Sequence, residues 1–317
     1  LEQIQTKYGL LSEVSAKELY PDGALKGVVL SSSQPLATPY GRLIPQYQND
    51  GARRKFTHSL MFYPNGDLHS VSLQKQTFIS TPLGDLPAER LTFYENGALK
   101  RLFPLNGQLS GFWTEANEYS LAEPMTFNFP FAVFSCKVIS ILFFDTGAVK
   151  SVTFWPKETA TLAAKVGLIP VRTGFSLYPD GNLASLEPLE PTLVSTPIGL
   201  ITAFNVNATG IHADANSLCF NPDGQIESLI TSSDRITVTD PTGQTRIFQP
   251  KLKPSLLFEG KQDLLPLKIN LNDTTLCFTV SEAVTELERN NLKIKIENLP
   301  FRFRHACSDC TGCDGCG

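Results

Sequence analysis

The chain has 317 residues with 27 Lys+Arg against 31 Asp+Glu, a formal net charge of −4, and only 18% charged residues beside 22 Gly, 22 Pro and 21 Phe. A 42% apolar content supplies a core and argues against disorder. The absence of a concentrated Lys/Arg footprint argues against nucleic acid as a partner, and no apolar run reaches the ~18 residues of a transmembrane helix.

A repeat organises the first 249 residues. Six segments share one turn: Leu19-Tyr20-Pro21-Asp22-Gly23, Phe62-Tyr63-Pro64-Asn65-Gly66, Phe93-Tyr94-Glu95-Asn96-Gly97, Phe143-Phe144-Asp145-Thr146-Gly147, Leu177-Tyr178-Pro179-Asp180-Gly181 and Phe220-Asn221-Pro222-Asp223-Gly224. Aligned on the glycine, the residue four before it is always large and apolar, and the residue two after it is Leu25, Leu68, Leu99, Val149, Leu183 or Ile226. Five after it come Val28, Val71, Leu102, Val152, Leu186 and Leu229, usually preceded by serine, as at Ser70, Ser151, Ser185 and Ser228.

This is the signature of a β-hairpin. Pro presets the first corner, Asp or Asn favours the second, and Gly takes the left-handed position that closes a three-residue loop. The residue four before glycine then pairs with the residue two after it. The apolar column five after glycine has opposite parity to the column two after it, so strict alternation predicts apolar residues on both faces and therefore stacked layers. A second turn recurs: Thr38-Pro39-Tyr40-Gly41, Thr81-Pro82-Leu83-Gly84 and Thr196-Pro197-Ile198-Gly199 each place glycine 18 residues after a hairpin glycine. The unit length varies after this second turn, which makes residues 46–57, 108–138 and 205–216 candidate surface loops or partner-specific elements.

Segments such as 91–111 (LTFYENGALKRLFPLNGQLSG) resemble the bacterial MORN-variant repeat, whose aromatic, Asn-Gly hairpins stack into an extended antiparallel sheet. The resemblance is best over residues 88–114, extends to the other glycine turns and ends near residue 250. It implies a scaffold or binding surface. The Thr-Pro-x-Gly turn and the longer period depart from the short repeat. The fold expected is all-β: tandem hairpins forming an extended antiparallel meander or stacked sheet, with a β-propeller of about six blades as the alternative.

Residues 250–304 lose the repeat and are expected to form a small β-rich cap closing the open end of the sheet. Strands are expected over 265–270, 274–280, 292–297 and 301–304, and a short helix over 281–291 with Ser281 as its N-cap. Residues 305–317 are a cysteine-rich tail. Cys307, Cys310, Cys313 and Cys316 stand at a strict spacing of three. Two Cys-x-x-Cys pairs supply the four sulfurs of a tetrahedral zinc site, and three cysteines at this spacing also resemble the start of an iron–sulfur loop. His305 is more simply a surface residue.

Cys136, Cys219 and Cys277 lie in apolar stretches and are expected to pack as small hydrophobes, which points to a reducing compartment, the cytoplasm. There is no nucleophile elbow, phosphate loop, zinc-protease motif or dinucleotide fingerprint. His212-Ala213-Asp214 reads as ordinary loop polarity. The expectation is a non-enzymatic repeat protein that offers a sheet surface to a protein partner and ends in a thiol cluster able to bind metal. The reading from another class is a redox or metal-handling protein whose tail is the active element.

Overall fold

The structure, a computed structural model, describes residues 2–55, 58–208, 212–256 and 260–299. All six repeat turns form the expected hairpin. In the first, Tyr20 N–H donates to Ala24 O at 2.8 Å and Gly23 N–H to Tyr20 O at 2.9 Å, and the other five repeat the same two bonds. Gly97 sits at φ +82°, where a side chain costs about 1–2 kcal/mol. In four turns the Asp or Asn before glycine accepts from the backbone two residues on, as Asp22 does from Ala24 N–H at 3.0 Å.

The expected pairings are present: Leu19 with Leu25, Phe62 with Leu68, Phe93 with Leu99, Phe143 with Val149, Leu177 with Leu183 and Phe220 with Ile226. The next pair inward is not the one strict alternation predicts. Met61 faces Ser70, leaving His69 as the extra residue of a β-bulge, and Leu60 then faces Val71. Leu60 and Phe62 share a face, so Leu68 and Val71 share it too. The same one-residue shift follows every repeat turn, at Lys26, His69, Lys100, Lys150, Ala184 and Glu227. The two apolar columns therefore lie on one face, correcting the expectation of apolar residues on both.

The hairpins join into a 17-stranded antiparallel sheet. Sixteen of its strands follow one another in space as in sequence, from Glu2–Thr6 and Gly9–Leu19 through Leu25–Leu30, Leu60–Phe62, Leu68–Thr81, Gly84–Phe93, Leu99–Phe103 and Val138–Phe143. The run continues through Val149–Phe154, Gly167–Leu177, Leu183–Pro188, Leu218–Phe220 and Ile226–Thr231 to Leu267–Leu271, Thr275–Val280 and Ala283–Glu288. This is an open meander, one continuous ladder rather than the separate blades of a propeller.

One cross-strand row carries the core. Val28, Leu60, Val71, Leu91, Leu102, Ile141, Val152, Phe175, Leu186, Leu218, Leu229, Ile269 and Phe278 are successive partners, and none is more than 1% exposed. The second turns cover this face. Leu36–Thr38 with Gly41–Leu43, and Thr192–Thr196 with Gly199–Ala203, are hairpins of a second layer. Others are Met125–Phe129 with Ala132–Cys136, the distal ends of Leu68–Thr81 and Gly84–Phe93, and Ala160–Ala164 with the start of Gly167–Leu177.

The tips of several second-layer hairpins skip one repeat turn and meet the next. Tyr8 Oη accepts from Leu68 N–H at 3.0 Å and Lys7 pairs with Asp67 at 2.8 Å, both at the second turn. Tyr40 Oη accepts from Leu99 N–H at 2.6 Å at the third. Pro130 and Phe131, with Lys165, border a cleft of about 450 Å³ whose far wall includes Asn182 and Asp223, at the fifth and sixth turns.

The region after residue 250 departs from expectation in one element. Residues 281–291 are not a helix: Ser281, at φ +57°, and Glu282 make a two-residue turn, and Ala283–Glu288 returns as a strand along Thr275–Val280. Half-buried Thr285 and Leu287 alternate there with exposed Val284, Glu286 and Glu288, the period of a strand. Lys293–Asn298 joins the second layer beside Asp234–Thr239. The segment expected as a strand over 301–304 lies outside the described residues. The helix among the described residues is Glu115–Leu121, capped by Thr114 and Asn117.

The turn aromatics bind one repeat to the next. Tyr20 Oη donates to Phe62 O, Tyr63 to Phe93 O and Tyr94 to Phe143 O, each at 2.8 Å, and Tyr178 to Phe220 O at 2.7 Å. The fourth repeat carries Phe144, which has no hydroxyl for the corresponding Leu177 carbonyl. Phe144→Tyr is expected to add the missing rung and raise unfolding stability by about 1 kcal/mol, and Tyr94→Phe to lower it by about as much, both read from urea midpoints. A Phe144→Tyr chain no more stable than the parent contradicts the ladder.

Candidate functional site

The face of the sheet opposite the core is polar and mostly buried. Its central row runs Met61, Ser70, Thr92, Arg101, Leu142, Ser151, Ser176, Ser185, Cys219, Ser228, Asn270 and Cys277. Polar groups buried on such a face need partners, and the insertions provide them. They are packed against the sheet rather than standing off it as surface loops.

The first cluster centres on Arg53, from the insertion after the second turn of the first unit, and it engages the sheet at Glu89, which alternates with Leu91 of the core row rather than with Thr92 of the polar row. Arg53 Nε donates to Glu118 at 2.9 Å, one terminal nitrogen reaches Glu89 at 3.0 Å and Asp50 at 3.3 Å, and the other reaches Glu89 at 2.6 Å and Glu118 at 2.8 Å. All five N–H groups are used. Glu118 projects from the short helix and also accepts from Gly107 N–H and Trp113 Nε1, each at 2.7 Å. Burial alone raises a carboxyl, but the Arg53 and Trp113 hydrogen bonds outweigh it and hold Glu118 below its ordinary value of 4.5. Glu89 further accepts from Asn106 N–H at 2.8 Å.

A cleft of about 360 Å³ opens beside this cluster, bordered by Asp50, Arg54, Gln74 and Glu89. Arg54 donates to Leu73 O and Gln74 O, and Gln74 Oε1 accepts from Tyr47 and Gln48 N–H. The groups around the cleft are largely committed to the protein itself. A saturated carboxylate–guanidinium cluster joins two insertions to the sheet, and it has no free base or nucleophile to offer a substrate.

The second cluster lies under residues 205–216. Asp214 accepts from Ser151 Oγ at 2.5 Å and pairs with Arg101. Ala213 N–H donates to Thr153 Oγ1 at 3.1 Å, and Asn216 Nδ2 to Ser185 Oγ at 2.8 Å. Glu187 accepts from Ser217 N–H at 2.9 Å and Ser217 Oγ at 2.8 Å, with Arg172 at 3.7 Å. Burial pushes Glu187 above 4.5, and the Ser217 bonds do not fully offset it. His212 is exposed and makes no bond to Asp214, so His212-Ala213-Asp214 does not assemble a catalytic set.

Cys307, Cys310, Cys313 and Cys316, with His305, lie outside the described residues. Among the described residues no group of three or more His, Cys, Asp or Glu could hold a metal ion. Cys136 is buried, and burial, helped by Glu158, pushes its thiol up to about 12. Burial also raises Cys219, whose Sγ donates to Asn216 O at 3.3 Å. These two thiols are protonated at neutral pH and poorly nucleophilic. The Arg53 cluster could not be read from the sequence, because its members are spread over Asp50, Arg53, Glu89 and Glu118. The adjacent Arg53-Arg54 pair inside a presumed surface loop was the available signal.

The two buried glutamates have opposite pH signatures. The folded state holds Glu118 below 4.5, so its stabilisation is complete above that pH and is lost as pH falls through the folded value. Glu118→Gln is expected to cost about 3 kcal/mol at pH 7, because it leaves Arg53 underpaired, with the difference shrinking in acid. Glu187 is raised in the fold, so its charge weakens stability above the folded value and not below 4.5. Glu187→Gln is expected to gain stability at pH 7 and none at pH 4. Urea unfolding at both pH values checks the pair, and equal effects at the two would contradict these electrostatics. No family model, curated protein or solved structure matches the chain.

Proposed function

We propose that the chain is a non-enzymatic repeat protein whose second layer presents an apolar sheet face to a protein partner. The observation that carries this is a repeated exposure. Leu10, Val133, Leu168 and Leu200 each follow the residue that closes a two-residue hairpin turn, and they are 53%, 72%, 73% and 57% exposed. Phe78 and Leu193, on opposing strands of the same layer, are 69% and 62% exposed. The residues facing Val133, Leu168 and Leu200 across the strands are Asn128, Ala163 and Ser195, none charged. Apolar side chains exposed at one recurring position mark an interaction face, and the scaffold role implied by the MORN-variant resemblance agrees with it.

The test is crosslinking of the full chain in source-cell extract, compared with Leu168→Glu/Leu200→Glu. These exposed positions tolerate charge without unfolding, which circular dichroism checks. Loss of the crosslinked partner in the variant is expected, and an unchanged crosslinking pattern overturns the reading.

We further propose Cys307, Cys310, Cys313 and Cys316 as a thiolate metal site for zinc or an iron–sulfur cluster. Support comes from their strict spacing. Anaerobic purification followed by metal analysis is expected to find zinc or iron that Cys310→Ser/Cys313→Ser removes. A metal-free parent chain sinks this assignment.

A further inference from the structure

The residue two past the hairpin glycine carries a backbone N–H that points away from its own ladder partner. At the second and third turns a phenol caps it: Tyr8 Oη accepts from Leu68 N–H at 3.0 Å and Tyr40 Oη from Leu99 N–H at 2.6 Å. The Tyr40 ring lies 5.6 Å from Phe93, the residue paired with Leu99. Leu183 stands in the same register at the fifth turn, paired with Leu177 as Leu68 is with Phe62. Its N–H meets no loop or side-chain acceptor among the described residues. The fourth and sixth turns receive no tyrosine hydroxyl either, but Val149 and Ile226 there are buried, as Leu68 and Leu99 are. Leu183 is half-buried.

The hairpin tip beside the fifth turn is Pro130-Phe131, and two contacts keep it from covering Leu183. Phe131 stacks on Phe129 at 5.3 Å and meets Phe175 edge-on at 5.5 Å, so its ring belongs to the aromatic core, and it carries no hydroxyl. Its carbonyl accepts from Ala163 N–H at 3.0 Å, which ties the tip sideways to the next second-layer hairpin. The space left over is the cleft of about 450 Å³, walled by Phe131, Leu183 and Pro222 among others, within the ~300–1,000 Å³ of small-ligand pockets. Lys165 and Asp223 border it. The Lys165 side chain lies across Gly224 as that of Lys7 lies across Gly66. Past its glycine Lys7 finds Asp67 at 2.8 Å, whereas Lys165 finds Gln225. In the sixth turn Asn221 Oδ1 accepts from Gln225 N–H at 2.9 Å, so the Asp223 carboxylate is not spent on the turn.

We propose that this cleft binds a phenolic ring from outside the chain, with the phenol oxygen accepting from Leu183 N–H as Tyr8 and Tyr40 do within it. A backbone donor partly withdrawn from water gains from an acceptor, and the two internal tyrosines show which group this register accommodates. The ring lies against the apolar wall. Lys165 and Asp223 at the mouth offer one charge of each sign to polar groups around it, which suits a tyrosine better than a bare phenol. The walls are turns and tips, not the exposed outer face of the second layer, so binding here is independent of a partner on that face.

Titrations of the full chain, labelled with nitrogen-15 leucine, test the assignment, the Leu183 amide signal being the one that Leu183→Ile removes. The probes are N-acetyltyrosinamide, N-acetylphenylalaninamide and p-cresol. The tyrosine derivative is expected to move the Leu183 amide proton saturably downfield, and the phenylalanine derivative to bind about fivefold more weakly for want of one hydrogen bond. Weaker binding of p-cresol than of the tyrosine derivative assigns the site to a tyrosine residue, and equal binding assigns it to a free phenol. A Leu183 amide that does not move, or equal affinity for the tyrosine and phenylalanine derivatives, overturns the proposal. Asn182→Trp places a ring in the cleft from an exposed position, where a folded chain is expected and circular dichroism checks it. That variant is expected to abolish the saturable shift, and a shift that persists in it also overturns the proposal.

Discussion

The structure depends on a single extra residue placed just after each hairpin glycine. Without it, the apolar columns at two and five residues past the glycine would fall on opposite faces, and neither face could form a continuous core. With it, Leu68 and Val71, or Leu99 and Leu102, share a face, and the row from Val28 to Phe278 becomes an unbroken line of apolar residues, one per strand. A register slip at any strand would move its member of this row to the polar side, so burial and register fix one another. The extra residue is solvent-facing and often Lys, and its side chain lies over the aromatic ring that precedes the turn, with Lys100 Nζ 5.4 Å from the Tyr94 ring and Lys150 Nζ 5.2 Å from the Phe144 ring. Bulge, turn and tyrosine ladder are thus one unit of construction.

The second layer changes what kind of repeat protein this is. In a simple solenoid each repeat touches only its neighbours, and stability is a sum of nearest-neighbour terms. Here the tyrosine rungs join adjacent repeats, while the tips of the second-layer hairpins pass over one repeat turn and bond to the next, as Tyr8 does at Leu68 and Tyr40 at Leu99. Removing one repeat would break contacts on both sides of the gap and also the tip contact that spans it. The expected consequence of such next-nearest coupling is a more cooperative unit than a one-dimensional stack of equal length. Its surface also divides cleanly: the inner side of the second layer closes the core, and its outer side is left to present the repeated apolar positions.

How much of this was legible in the sequence follows from which interactions are local. The turns, their paired flanks and the antiparallel meander were readable, because Pro, Asp or Asn, and Gly act within a few residues. The parity of the strand beyond each turn was misread, because a bulge leaves no composition signal other than the polar residue it exposes, here Lys26, His69 or Lys100. The expected helix over 281–291 failed for a related reason. Ser281 suits a helix cap and also a left-handed turn position, and pairing with Thr275–Val280 decided between them. The buried charge cluster left only the Arg53-Arg54 pair as a signal: Arg53 and Glu118 are 65 residues apart, and nothing about either residue alone distinguishes a clamp from a loop charge.

The serine column four after the glycine, which alternation alone left unexplained, is accounted for by the same bulge. Once the apolar columns share the inner face, the position between them must face the other way, where the insertions lie. A large apolar residue there would lift the insertion off the sheet, and a charged one would need its own counter-ion. Serine is small and can both donate and accept. Ser151 donates to Asp214, Ser185 accepts from Asn216 and pairs with Ser176 at 2.6 Å, and Ser140 accepts from Arg101 at 3.1 Å. Thr153 and Ser72 do the same for Ala213 N–H and for Asn106. The hydroxyls are therefore the fixed half of a contact whose other half is supplied by insertions of variable length.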